Sequence, residues 1–353
     1  LTAKDVLTPK TAAINVTTEY NVNTDVTPVS AGTSLYFAVN KGESTNLKEY
    51  EVQPLTYNNE AADVTAHCPR YIPNDCYKLA SSDLENTIIA LCKSDRSVMW
   101  VYKYYWASPD EKVQSAWSKF VMSSEDTILN ADFIDNKLYI VVKRYEGTYL
   151  EMIDFSYNQV DEDLGFLIHL DHRIDVKGVY DPDKIRTTWT VPYPTTGAGW
   201  KGVLGAKWTS RIGGTLNLKA DTANTLYATG NWSAYPVTVG KEYNFKYQLS
   251  PIYYKDSQKL AVPHYKMNLK NMHLFYDRSG YFRVTVEIKG SDPYEYKLNP
   301  TLGDETLVVG EAVISRGNFR FPIFGDGEDT KITIQSDSMF PVTIQGAEYE
   351  ALT

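Results

Sequence analysis

His67, Cys68, Asp75 and Cys76 fall within the stretch HCPRYIPNDC, a set of side chains from which metal sites and thiol nucleophiles are built. Their spacing argues against both. A structural zinc site commonly draws its ligands from two C-x2-4-C or H-x3-5-H pairs, whereas His67 and Cys68 are adjacent and Cys76 stands eight residues further on. Pro69 and Pro73 fix φ and bias the residues before them toward extended geometry, and Pro73-Asn74-Asp75 is a turn signal. The stretch reads as a stiff connector between β-structured elements.

Three further constellations invite chemistry and lose it on spacing. His169 and His172 in LIHLDHRIDV separate when a strand period is applied. Ile168, Leu170, His172, Ile174 and Val176 then share one face, and His169, Asp171, Arg173 and Asp175 the other. Two histidines on opposite faces cannot share a metal, and the segment reads as a half-buried strand with an ion-paired polar side. GAGWKG, Gly197 to Gly202, matches G-x-G-x-x-G, but a dinucleotide site also needs a helix to receive the pyrophosphate. VLGAKWTSRIGGTLNL follows instead, so a flexible loop is expected. FGDGEDT, Phe324 to Thr330, groups Asp326, Glu328 and Asp329 without the spacing of a calcium loop, and predicts a hairpin turn. No G-x-S-x-G elbow occurs. No catalytic, cofactor-binding or metal residue is expected, although a glycosidase carboxylate pair leaves no readable spacing and stays open. Cys68, Cys76 and Cys92 cannot all pair, and are expected to be reduced thiols.

The elements that would position such groups are β-strands. The chain has 353 residues, 43% hydrophobic and 22% charged, ordinary values for a globular protein. Its 27 tyrosines and 7 tryptophans favour strands, where aromatic side chains fit a pleated, half-buried surface. The net charge of −9 is spread without a basic stripe, which disfavours stable nucleic-acid binding. Runs such as TIIALC and LYIVV are far shorter than the ~20 apolar residues of a membrane-spanning helix. The chain opens LTAKDVLTPK, with neither an initiator Met nor the order of a signal peptide, and is expected to be a piece of something longer.

Short alternating runs separated by Gly, Asn, Asp and Ser dominate the first half. GTSLYFAVNKGESTNLKEYEV and DNKLYIVVKRYEGTYLEMIDF align without a gap, Leu35 with Leu138 and Leu47 with Leu150, at an offset of 103 residues. TIIALCKSDRSVMWVYKYYW lies midway, so the repeat is roughly 50 residues, in the range of propeller blades. The fold expected is all-β. A partial β-propeller of about three blades would occupy residues 1–165, followed by a β-sandwich or jelly-roll-like domain over 166–353 with longer strands and long loops.

LTAKDVLTPKTAAINVTTEYNV, DVTAHCPRYIPND, QSAWSKF and GNFRFPIFGDGEDTKITIQSD together resemble the C-terminal half of the tail nozzle protein family, also called tail tubular protein B, of short-tailed, autographivirus-type phages. The positions carrying the likeness are His67, Pro69, Tyr71, Pro73, Asn74 and Trp117, then Arg320, Phe321, Pro322 and Gly325; Cys68 and Cys76 stand outside it. The resemblance implies a structural protein of the virion tail, assembled in the host cytoplasm, with no enzymatic activity. It also implies a homo-hexameric ring that meets the adaptor ring of tail tubular protein A and the tail fibres. That ring would form and gate the distal end of the DNA channel, passing DNA without holding it. Family members are about twice as long. The alternative reading is a glycan-binding or glycan-degrading tail component acting on the bacterial surface, in which exposed aromatics serve as sugar platforms.

Overall fold

The computed structural model describes residues 19–52, 59–108, 111–123, 126–145, 147–156, 159–161, 164–209, 211–255, 262, 265–298 and 311–352. The regular elements among them are 26 β-strands in seven antiparallel sheets. The chain is all-β. It divides into two compact units, residues 1–158 and 159–353, against an expected boundary at 165/166.

The first unit holds three consecutive meanders. Strands β1 (Val29–Ala31), β2 (Ser34–Lys41), β3 (Ser44–Val52) and β4 (Asn59–Asp63) form the first sheet in chain order. The second is β5 (Cys76–Ser82), β6 (Thr87–Cys92), β7 (Val98–Ser108) and β8 (Glu111–Val121), and the third is β9 (Thr127–Ile134), β10 (Lys137–Arg144) and β11 (Gly147–Asp154). β2 begins at residue 34 and β10 at 137, β3 at 44 and β11 at 147, so the offset of 103 in the sequence is an offset of whole hairpins.

Packing explains why TIIALC lacks alternation. All six residues of β6 are buried. Ile88, Ala90 and Cys92 join Tyr36, Ala38 and Leu47 of the first sheet in one core, while Ile89 and Leu91 join Ile128, Leu138, Ile140 and Val142 of the third in another. The middle sheet is covered on both faces, and such a strand reads as a continuous apolar run. The first strands of successive sheets lie side by side, β1 against β5 and β5 against β9. There Ser81 donates to the Ser30 carbonyl at 2.8 Å, and Tyr77 OH to the Ile128 carbonyl at 2.9 Å.

The second unit opens with β12 (Asp171–Val176), β13 (Val179–Asp181), β14 (Arg186–Thr190), β15 (Trp200–Leu204), β16 (Thr215–Asn217), β17 (Lys219–Thr222), β18 (Thr225–Thr229) and β19 (Val237–Lys241). Successive pairs change sheets, giving the orders β12-β19-β15-β16 and β13-β14-β18-β17. Trp189, Leu226 and Ala228 of the second order share a core with Trp200, Leu204, Val237 and Val239 of the first. The chain continues through β20 (Phe245–Gln248), β21 (Asn268–Ser279), β22 (Arg283–Ile288), β23 (Tyr294–Lys297), β24 (Ser315–Asp326), β25 (Thr330–Ser336) and β26 (Thr343–Leu352). These form the orders β20-β25-β22-β23 and β24-β21-β26, around Leu274, Phe282, Val284, Phe321, Ile332 and Ile334. Phe166, Ile168, Leu170, Val203 and Met339 make a smaller cluster.

Three local expectations change. The strand read from Ile168 begins at Asp171, and its register shifts between Asp171 and Ile174 where His172 adopts φ +53°. The second half of GAGWKG is no loop: Trp200 to Gly202 open β15, and only Gly197 and Gly199 keep positive φ. FGDGEDT is a turn but not a hairpin, because β24 and β25 belong to different sheets.

Candidate functional site

The connector predicted over His67–Cys76 runs up to β5, which opens at Cys76, and fastens the first two sheets to each other. Ile72 is buried in their common core, and its carbonyl accepts the Thr45 amide at 3.0 Å. The Pro73 carbonyl accepts the Thr45 hydroxyl at 2.7 Å, and Asn74 Nδ2 donates to the Gly42 carbonyl at 3.2 Å. The Tyr71 carbonyl takes the Trp100 indole N–H at 3.0 Å, while Lys119 Nζ sits 4.7 Å above the Tyr71 ring, a cation–π contact. The β2–β3 turn is thereby tied, through the connector, to β7 and β8. His67 and Pro69 are exposed.

Trp117 leads to a cluster that no spacing in the sequence announced. Its indole N–H donates to the Val64 carbonyl at 2.9 Å, and its ring lies 5.1 Å from that of Tyr102. Beside it Glu49 on β3 accepts the Tyr36 hydroxyl at 2.5 Å and pairs with Lys112 on β8. The Lys112 ammonium stands 4.7 Å from the Trp106 ring and 5.3 Å from Tyr104. Both carboxylate oxygens are engaged and the cation is boxed by aromatic faces, so the group acts as a rivet between sheets rather than as an acid or base. Burial, with Glu49 next in size, drives the Tyr36 hydroxyl far above the ordinary phenol range. Burial likewise pushes Tyr104 up to about 12. The one sequence signal was the aromatic density of VYKYYW.

Phe321 is buried in the core of the second unit, whereas Arg320 lies on the opposite, outer face of the three-stranded sheet. There Glu350 is 3.8 Å from Arg320, 3.8 Å from His273 Nε2 and 2.8 Å from the Asn271 amide. The Asn271 bond above all, with the Arg320 and His273 charges, holds Glu350 below the usual carboxylate range. Pro322 is tolerated because β24 is an edge strand. Gly325 is required by close approach: a Cβ there would come 2.6 Å from Thr330 Oγ1. In the turn that follows, Asp326 caps the Glu328 amide at 3.0 Å and its carbonyl accepts Thr330 Oγ1 at 2.6 Å.

Among the described residues no group of three or more His, Cys, Asp or Glu side chains converges as a metal would require. All three cysteines are free thiols. Cys76 faces Cys92 across β5 and β6, and the contact with Cys76, then burial, raises Cys92. Cys68 is pushed up to about 11 by burial and by Asp63, so neither is a ready nucleophile. His169 is held low by burial and by the Arg173 charge. His172 contacts the Tyr193 and Trp200 rings at 5.1 and 6.2 Å. A cleft of about 340 Å³ opens in the second unit beside Asp161, Arg173 and Asp175.

The residues described build contacts between antiparallel sheets through aromatic rings, ion pairs and hydrogen bonds. The profile of the bacteriophage nozzle protein family matches residues 1–352, and the chain belongs to that family, a component of the phage virion tail. It is 28% identical over 364 residues to tail tubular protein gp12 of Escherichia phage T7, covering 99% of this chain and 46% of the relative. The chain thus spans about half the length of that relative. Among solved structures, the exo-β-1,3-galactanase of Phanerochaete chrysosporium aligns over 97% of each chain at 9% identity with a TM-score of 0.22. The fructofuranosidase of Schwanniomyces occidentalis aligns over 90% of this chain and 77% of its own at 8% identity, with a TM-score of 0.18. Likenesses this slight carry no argument.

Proposed function

We propose that the chain is a non-enzymatic building block of the phage tail nozzle, in a homo-hexameric ring that forms and gates the distal end of the DNA channel. The partners are the adaptor ring of tail tubular protein A and the tail fibres. The observation that carries this reading is the family match over residues 1–352. The first region is read as propeller-type, on two supports. Its three meanders of similar length stack in order, and their first strands adjoin, as blades do around an axis. The second is read as sandwich-type, because each of its two sheet pairs shares one core. The family-motif residues act here as scaffold: Tyr71, Pro73, Asn74 and Trp117 lock neighbouring blades, Phe321 fills a core, Arg320 pairs with Glu350 on the outer face, and His67 and Pro69 stay exposed for neighbours.

The test is gold-labelled antibody against this chain on intact virions, paired with phage carrying a disrupted gene complemented in trans. Label confined to the distal tail, and particles that lose infectivity without complementation, are expected. Label on the capsid or fibres alone, or full infectivity without the gene, would refute the reading.

A further inference from the structure

Cys76 opens β5 and is the direct cross-strand partner of Cys92, which ends β6. The Lys93 amide donates to the Asp75 carbonyl at 3.2 Å, so the hydrogen-bonded pair is the neighbouring one and the two cysteines occupy a non-hydrogen-bonded position. There opposite Cα atoms come closest, about 4.5 Å apart, with both side chains on one face. A disulfide spans Cα atoms roughly 4.4–6.8 Å apart, so the backbone stands in range without a shift. Both thiols are buried in the core shared by the first two sheets. Among the described residues no further ligand joins them to make a metal site. Cys68 lies in the connector, outside both strands.

The two sulfurs are not equivalent. A hydrogen bond from Cys92 holds the Cys76 thiol below its ordinary range against the opposing effect of burial, while the same contact, then burial, raises Cys92. Cys76 is therefore the sulfur that ionises first and attacks, and Cys92 the one that resolves. We propose that Cys76 and Cys92 are an oxidative clamp, a disulfide that closes with hydrogen peroxide as oxidant and ties the end of the connector to β6. The Cys76 thiolate attacks one peroxide oxygen, the O–O bond breaks, and the departing hydroxide takes up the thiol proton as water. The Cys92 sulfur then attacks the Cys76 sulfenic acid, the S–O bond breaks, and a second water leaves with the Cys92 proton. Two thiols and one peroxide become one disulfide and two waters. The node so fixed also holds the Asn23 amide, which donates to the Cys76 carbonyl at 3.2 Å, and Ser94, whose hydroxyl donates to the Asp75 carboxylate at 3.1 Å. Both sulfurs are sealed from solvent, so closure waits on opening of the strand end and is slow in the folded protein.

Hydrogen peroxide added to the reduced whole chain, followed by thiol titration in denaturant and by peptide mapping in a mass spectrometer, tests this. Two of the three thiols should disappear together, leaving Cys68 titratable. The peptides holding Cys76 and Cys92 should be found linked and lighter by two hydrogens, and dithiothreitol should restore all three thiols. Because the bond restricts the unfolded chain between the two cysteines, the oxidised chain should melt about 5–10 °C above the reduced one. Cys68→Ser should leave linkage and melting shift unchanged, and Cys76→Ala or Cys92→Ala should abolish both. Mapping of the unsubstituted chain decides the linkage even where a variant fails to fold. Three thiols surviving peroxide, a linkage through Cys68, sulfinic acid at Cys76 without a bridge, or an oxidised chain that melts no higher than the reduced one would overturn the proposal.

Discussion

Glu49 and Lys112 are 63 residues apart in sequence and meet only because β3 and β8 face one another across two sheets. A buried pair of this kind contributes little net stability over an apolar pair, but removing one partner strands the other. Glu49→Ala is therefore expected to destabilise by about 3 kcal/mol, and Tyr36→Phe, which deletes one bond to Glu49, by about 1 kcal/mol. Combining Glu49→Gln with Lys112→Met should cost less than the sum of the single changes. Urea-unfolding midpoints measure this, and strictly additive losses would show that the pair is not coupled. The tyrosines set a pH dependence. Burial raises Tyr36, Tyr102 and Tyr104 in the folded state, so folding favours their protonated form. That stability is fully present below the ordinary phenol value of about 10 and is lost as pH climbs through the raised folded values. Tyrosinate absorbance should then rise together with loss of β circular dichroism. Ionisation of all tyrosines near the ordinary value with the fold intact would contradict the burial.

The strand β6 shows at the element scale what was legible in the sequence. TIIALC is short, unbroken and apolar, and bounded by turn residues, which fits a strand covered on both sides. The repeat at 103 residues was legible because turns and strand lengths recur together. The equivalent positions do not share burial: Leu138 is buried and Leu35 is exposed. The reason is that the first and third sheets lie on opposite sides of the second and present opposite faces to it. Ile88→Ala should cost about 2–5 kcal/mol through the cavity it opens, while Leu150→Ala on the exposed β11 should stay within about 0.5 kcal/mol. Melting temperatures compare them, and equal shifts would mean that β6 is not enclosed. What the sequence hid was non-local or aperiodic. The bulge at His172 breaks a period that alternation assumes, the Asp326–Thr330 turn changes sheets, and the cleft gathers Asp161, Asp175, Lys207 and Pro236 from four separate segments.

At the scale of the whole molecule the proposed role asks for a surface that would let DNA pass. Each phosphate neutralised by Lys or Arg adds affinity through counterion release, so a basic lining would retain the genome it should deliver. The chain carries 35 Lys and Arg against 44 Asp and Glu, and its cations are widely committed. Lys112 and Arg144 lie in buried or half-buried pairs, Arg186 pairs with Asp221, and Lys119 and Arg211 cover aromatic rings. A cation held by a carboxylate neutralises a phosphate only by giving up that partner. The chain is therefore expected not to bind double-stranded DNA even at low ionic strength, where attraction between exposed charges is screened least. A mobility-shift titration in low salt, repeated with added salt, is the measurement. Unshifted duplex throughout is the expected outcome, whereas micromolar binding that weakens steeply with salt would reveal a basic surface and remove the idea of a low-retention channel.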